Sequence, residues 1–166
     1  MIRLEEPGDR ATLRAINLAA FGEPDEAKLV EALHEHGAVL VSLVAEVDSR
    51  TVGHILFSRM WIDAPSGTVA AVALGPMAVL PGHQRRGIGG RLIARGLDLL
   101  RERGERIVIV LGHPEYYSRF GFSAEKARGL DHPFPPEALM ALELEAGALA
   151  HVHGKLKYDA AFGIRF

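Results

Sequence analysis

The chain contains no cysteine. That absence excludes a disulfide framework, a thiol nucleophile and a zinc site built on thiolates. No apolar run approaches the ~20 residues that a membrane span requires. The start, Met1-Ile2-Arg3-Leu4-Glu5-Glu6, lacks the pattern of a secretion signal. A cytoplasmic protein without membrane attachment is therefore expected. No Gly-x-Ser-x-Gly elbow occurs, which leaves a serine hydrolase unsupported. Net charge is 19 − 21 = −2, so no global attraction to nucleic acid is implied. Eight histidines are present. His34 and His36 close a helix, and His151 and His153 are expected to share one face of a strand. Neither pair has a third ligand at recognisable spacing, so no metal is expected.

What the chain does have is a local concentration of glycine and arginine. Residues 69–80 read as a strand rich in small and β-branched side chains, interrupted at Pro81-Gly82. Gln84-Arg85-Arg86-Gly87-Ile88-Gly89-Gly90 follows, then Arg91 and a long amphipathic helix. Strand, glycine-rich turn and helix together aim backbone N–H groups and a helix N-terminus at an anion. Glycine lets the main chain approach the ligand without a Cβ between them. His83, Arg85, Arg86, Arg91 and Arg95 add positive charge at the same place. The stretch reads as a diphosphate-binding turn.

Spacing separates the kinds of phosphate loop. A Walker loop ends in Gly-Lys-Ser/Thr; Gly82 and Gly87 have its glycine spacing, but Ile88-Gly89 stands where the lysine and hydroxyl belong. A dinucleotide fingerprint needs Gly-x-Gly-x-x-Gly; Gly87 and Gly89 fit, but Leu92 takes the third place. What remains, Gln84-Arg85-Arg86-Gly87-Ile88-Gly89, resembles the Gln/Arg-x-x-Gly-x-Gly/Ala loop of the GCN5-related N-acetyltransferases, the GNAT family. A second stretch, Pro114-Glu115-Tyr116-Tyr117-Ser118-Arg119-Phe120-Gly121-Phe122, resembles that family's second signature, an aromatic residue four places before Gly-Phe. The two occur in the family's order, and the resemblance spans nearly the whole chain.

Taken in order, residues 2–5 read as a strand, and Pro7-Gly8-Asp9 starts a helix with Asp9 as its cap or first-turn acid. That helix ends at Gly22; Glu23-Pro24-Asp25 opens a second, closed by residues 34–37. Strands over 39–47, 51–62 and 69–80, joined by short turns at Asp48-Ser49 and residues 63–67, predict an antiparallel meander. Gly75-Pro76 inside the third predicts a bulge, because proline cannot donate to a ladder. The helix over 87–103 has apolar residues at 88, 92, 93, 97 and 100, one buried face. Residues 106–111 are nearly all apolar, as in a strand buried on both faces and parallel to its neighbour, so strand, helix and strand form one right-handed crossover. A short helix over 115–119, a return to strand at Gly121-Phe122, a proline-rich connector over 131–136 and strands over 139–144 and 152–158 follow. The apolar tail 160–166 is expected to dock. No internal repeat is visible, and residues 1–166 are read as one domain.

The resemblance implies an α/β (α+β) GNAT fold: a mixed, mostly antiparallel central sheet with a parallel, splayed strand pair, flanked by helices. It implies acetyl-CoA as co-substrate and direct acetyl transfer to a primary amine on a small molecule or protein, within a bacterial branch whose acceptors are mostly unassigned. A homodimer is left open. Backbone groups of Gln84, Arg85, Arg86, Gly87, Ile88, Gly89 and Gly90 would hold the pyrophosphate, with Arg91 adding charge beside them. Met77, Ala78 and Val79 would run beside the pantetheine, with one N–H polarising the thioester carbonyl. Tyr117 matches the family's tyrosine beside the cofactor sulfur, with Tyr116 as the alternate. A free phenol has a pKa of ~10 and a thiol ~8.5, so the phenol is read as a hydrogen-bond donor to developing sulfur charge, with proton transfer late. Many family members carry a glutamate in the central strand, and residues 69–80 contain no carboxylate. Glu46, His54, Asp63 or an ordered water are the candidate bases. The same gap keeps a non-catalytic acyl-CoA-binding or sensing module as the rival reading.

Overall fold

In a computed structural model, residues 1–164 are described; positions 165 and 166 of the expected docking tail lie outside the described residues. The strands are β1 (Ile2–Leu4), β2 (Val39–Val47), β3 (Arg50–Ala64), β4 (Gly67–Val79), β5 (Ile107–Leu111), β6 (Leu130–Asp131), β7 (Leu139–Glu143) and β8 (Gly154–Lys157). The helices are α1 (Arg10–Phe21), α2 (Asp25–Glu35), α3 (Ile88–Glu102) and the single turn α4 (Pro114–Tyr117). They form the mixed, mostly antiparallel sheet with flanking helices that the sequence predicts. The chain divides into two compact units, Met1–Ser58 with Gly75–Leu99, and Arg59–Leu74 with everything from Leu100 onward.

In the first unit β1 pairs antiparallel with β2, and β2 with β3. The β2–β3 turn places Asp48 and Ser49 at φ 51° and 63°, two successive left-handed residues as a tight hairpin requires. Strand periodicity then assigns faces. Val44 is buried with Leu13 and Ile16 of α1 and Ala78 of β4. Its neighbour Ala45 points the other way, toward Ile88 and Leu92 of α3, across Gly53. Alternation along one strand thus puts α1 and α3 on opposite faces. Leu92, Ile93 and Leu100 of α3 are fully buried, the stripe its sequence predicts.

Two glycines let α3 lie close to β3. A Cβ on Gly53 would come within 3.2 Å of the Ile88 side chain, and one on Gly96 within 2.2 Å of the Phe57 ring. Of the two roles expected of Asp9, the structure has the first-turn acid: Asp9 lies in a 3-10 turn over Pro7–Asp9, and its side chain makes no cap bond to α1. Its carboxylate accepts from the Glu6 N–H at 2.7 Å and from Arg3. A stronger, charged partner takes the acceptor that a cap would use.

In the second unit β4 runs parallel to β5 at Val72↔Val108 and Ala73↔Ile109, and β5 pairs antiparallel with β7. The first four residues of β5 are buried. The core gathers Met60, Ile62, Ala73, Ile109, Leu139 and Leu156, with Phe134, Tyr158 and Phe162 packed against it. Phe162, in a 3-10 turn over Ala160–Phe162, is the docked part of the apolar tail. Three details differ from the sequence reading. The proline-rich connector is preceded by β6, two residues long, which pairs parallel with β8. Gly121-Phe122 does not resume a strand; only Ser123 bridges to Ala141. The last strand begins at Gly154 rather than 152, because a turn takes up the Val152 N–H, which donates to Leu149 O at 3.1 Å, so His151 and His153 do not share a strand face. The Gly75–Pro76 peptide is cis, and Gly75 has φ 141°.

Candidate functional site

In the first unit, the turn between β4 and α3 has the build of an anion cradle. A 3-10 turn over Pro81–His83 leads into extended Gln84; Arg85 and Gly87 then take left-handed φ values of 63° and 78°. Alternating handedness turns successive N–H groups toward one side. The first backbone bond of α3 runs from the Arg91 N–H to the Gly87 carbonyl at 3.1 Å. The N–H groups of Ile88, Gly89 and Gly90 lie ahead of it, in the turn where helical donors have no intrahelical partner. The Ile88 side chain is buried while Arg85, Arg86 and Arg91 are exposed, so the apolar side chain anchors the turn and the guanidinium groups stay at the surface. Gln84 acts on the protein itself: its Nε2 donates to the Val79 carbonyl at 3.0 Å, tying the loop to the end of β4. Leu80 N–H donates to Val52 O at 2.8 Å. Along β4, Ala78 is buried against α1, and Met77 and Val79 are half-buried.

In the second unit, β5 ends at Leu111 and the chain passes Gly112 and His113 into α4. Tyr117 N–H donates to His113 O at 3.1 Å, and Gly121, at φ 96°, ends the following 3-10 turn. Glycine is needed there because a side chain is strained at that φ. The Tyr117 ring meets Tyr116 edge-on at 5.1 Å and Phe122 at 5.9 Å. Burial, and then the neighbouring Tyr116, push its pKa up to about 12. Tyr116 differs in environment. Arg119 stacks over its ring at 4.6 Å, and burial raises its pKa while that guanidinium opposes the rise. The Tyr117 phenol is thus held in its protonated form, and Tyr116 is part of a cation–π pair.

The three base candidates have different fates. Glu46 is held by Arg3 Nε at 2.5 Å. Asp63 is exposed on β3, opposite Lys155. His54 is fully buried on the α1 side of β3, inside a chain of polar groups that the sequence does not reveal. Its Nδ1 lies 3.4 Å from Asn17 Nδ2, which also donates to Leu13 O at 2.9 Å. Its Nε2 lies 2.9 Å from Ser42 Oγ, and Ser42 donates to Glu5 Oε1. Glu5 also receives His34 Nε2 at 3.1 Å and Arg10 Nε at 3.0 Å.

Serine, histidine and glutamate together suggest a nucleophile, but the proton count forbids it. The carboxylate only accepts, so the single Ser42 proton goes to Glu5. His54 Nε2 must then donate, and Nδ1 accepts from Asn17. The imidazole cannot take the serine proton. Burial holds its pKa down to about 4, with Glu5 opposing. A cleft of about 270 Å³ opens beside Glu5, Arg10, His34 and Ser42; Glu5 already bonds to the other three, and the cleft shares no residue with the β4–α3 turn. Among the described residues, no three metal-ligating side chains come together, and no helix is long and apolar enough to cross a membrane.

The family model of the acetyltransferase (GNAT) domain matches residues 2–124, which include both the β4–α3 turn and the Tyr117 segment. The chain belongs to the GNAT acetyltransferase family. Among curated GNAT relatives it is 37% identical to the uncharacterized N-acetyltransferase YjhQ of Escherichia coli K12, over 81% of this chain and 77% of that one. It is 33% identical to YhbS of the same strain over 98% of both. The crystal structure of the Escherichia coli GNAT protein YhbS in complex with CoA superposes with a TM-score of 0.90 at 34% identity, covering 100% of this chain and 92% of that one. A GNAT acetyltransferase from Brucella melitensis in complex with acetyl-CoA gives 0.82 at 36% identity, covering 98% and 97%.

Proposed function

We propose that this GNAT protein transfers an acetyl group from acetyl-CoA directly to a primary amine of a small molecule or protein, with residues 1–166 serving as one catalytic domain in the cytoplasm. The observation that carries the reading is the turn before α3. Left-handed Arg85 and Gly87 and three first-turn N–H groups meet exposed arginines in one short stretch. The GNAT neighbours that share this fold hold CoA and acetyl-CoA.

When bound, acetyl-CoA supplies the activated acyl group as a thioester. Main-chain N–H groups from Gln84 to Gly90 bind the diphosphate, helped by the positive end of α3. Arg85, Arg86 and Arg91 add screened long-range attraction. The Met77 to Val79 main chain orients the pantetheine, and one of its N–H groups donates to the thioester oxygen. The Tyr117 hydroxyl donates a hydrogen bond to the departing sulfur. With the phenol near pKa 12 and a free thiol at ~8.5, full transfer of its proton is uphill. The hydroxyl therefore acts by stabilising charge as it develops. An ordered water or the exposed Asp63 removes the amine proton, because Glu46 is engaged by Arg3 and His54 has no access.

The test has two arms. CoA at a hundredfold excess over its dissociation constant stabilises a folded protein by about 2.7 kcal/mol, a rise in melting temperature of roughly 5–10 °C for a chain of this size. Turnover of acetyl-CoA across a panel of amines then separates an enzyme from a binding module. No thermal shift overturns the cofactor assignment; a shift without turnover on any amine favours the module. In the same assay Tyr117→Phe should lower kcat roughly 100-fold, and Tyr116→Phe should cost far less.

A further inference from the structure

Gly112 follows β5 directly and precedes the tyrosine helix. Its backbone does not explain it. Unlike Gly104 and Gly121, it is not left-handed, so alanine would be conformationally acceptable there. Its N–H donates to Ala138 O at 3.0 Å, an ordinary main-chain bond that any residue but proline makes. Space is what requires glycine. A Cβ at this position would lie 2.4 Å from Tyr117 Cε2, 2.9 Å from Cδ2 and 3.5 Å from Cζ, and these are the three nearest atoms. One edge of the phenol ring, up to the carbon that carries the hydroxyl, occupies the place of the missing side chain. The same ring packs T-shaped against Phe122, at 5.9 Å between centroids and 79° between planes, and Phe122 is 2% exposed and does not yield easily.

We propose that Gly112 is a positioning residue for acyl transfer: the gap left by its absent side chain, together with the Phe122 ring, forms the slot that fixes where the Tyr117 hydroxyl stands. The proposal rests on the role given above to Tyr117. A methyl group at position 112 pushes the ring edge out by roughly 1 Å before carbon atoms reach ordinary contact. Displacement of that size in a catalytic group costs up to about 100-fold in rate. Acetyl-CoA binding at the β4–α3 turn uses other residues and is not expected to change.

The experiment is a cycle of four proteins: wild type, Gly112→Ala, Tyr117→Phe and the double variant, each assayed for kcat and for the KM of acetyl-CoA. Gly112→Ala should lower kcat roughly ten- to a hundredfold with the KM unchanged. In the Tyr117→Phe background, where the ring remains but the hydroxyl is gone, the same substitution should change kcat by less than about twofold. Equal losses in both backgrounds, or no loss in the first, overturn the proposal and leave the role of Tyr117 intact. No loss from Tyr117→Phe alone overturns that role and the proposal with it. If Gly112→Ala does not fold, Phe122→Leu, which removes the ring packed against Tyr117, replaces it in the same cycle with the same deciding outcomes.

Discussion

His54 is the residue whose surroundings differ most from what its sequence position suggests. It sits in an apolar strand, yet hydrogen bonds connect it through Ser42 to Glu5 and directly to Asn17. These positions are scattered over the first 54 residues, so no spacing rule brings them together. The chain has a measurable consequence. The histidine titrates at about 4 in the folded protein against 6.5 in an unfolded chain. Between those values the unfolded state binds the extra proton, so stability is fully present above pH 6.5 and is lost as pH falls through 4. His132, also lowered by burial, acts in the same direction. Asp9, held down by Arg3, and Glu143, held down by Lys126, act at lower pH. Urea denaturation at pH 7, 5.5 and 4.5 should show falling stability in the wild type and a visibly shallower fall in His54→Gln, whatever that variant loses at pH 7. An equal slope in both would place the proton elsewhere.

Among the elements, those that declare themselves locally were legible and those that depend on a distant partner were not. The apolar run that becomes β5, the glycines and arginines before α3, and the stripe 88, 92, 93, 97 and 100 each carry their signal within a few residues. β6, two residues long and stabilised by its parallel pairing with β8, has no local signal. Gly96 makes the same point within a helix. By propensity it is a flaw of about 1 kcal/mol relative to alanine. Nothing in its neighbourhood of sequence shows that the Phe57 ring, from β3, fills the space over it. Gly96→Ala is therefore expected to destabilise despite the better helix former, by about 1–3 kcal/mol as an overpacked core does. Chemical denaturation of the purified variant measures it; a gain in stability would mean that the ring moves aside freely. Gly53, under Ile88 and Leu92, is the corresponding contact at the N-terminal end of α3, next to the β4–α3 turn.

For the molecule as a whole, a net charge of −2 hides a strongly uneven distribution, with five basic residues gathered between 83 and 95. One of them, Arg85, holds a left-handed φ of 63°, a conformation that costs an ordinary residue roughly 1–2 kcal/mol. Glycine would relieve that strain and remove the charge. Arg85→Gly should thus melt higher than wild type in the absence of ligand and bind CoA more weakly, by calorimetry or thermal shift; a variant that gained nothing in melting temperature would show that the strain is already relieved by its neighbours. Heat-resistance screening alone would accordingly steer this chain toward glycine at position 85, and the more robust protein it selected would be the poorer catalyst when coenzyme is scarce.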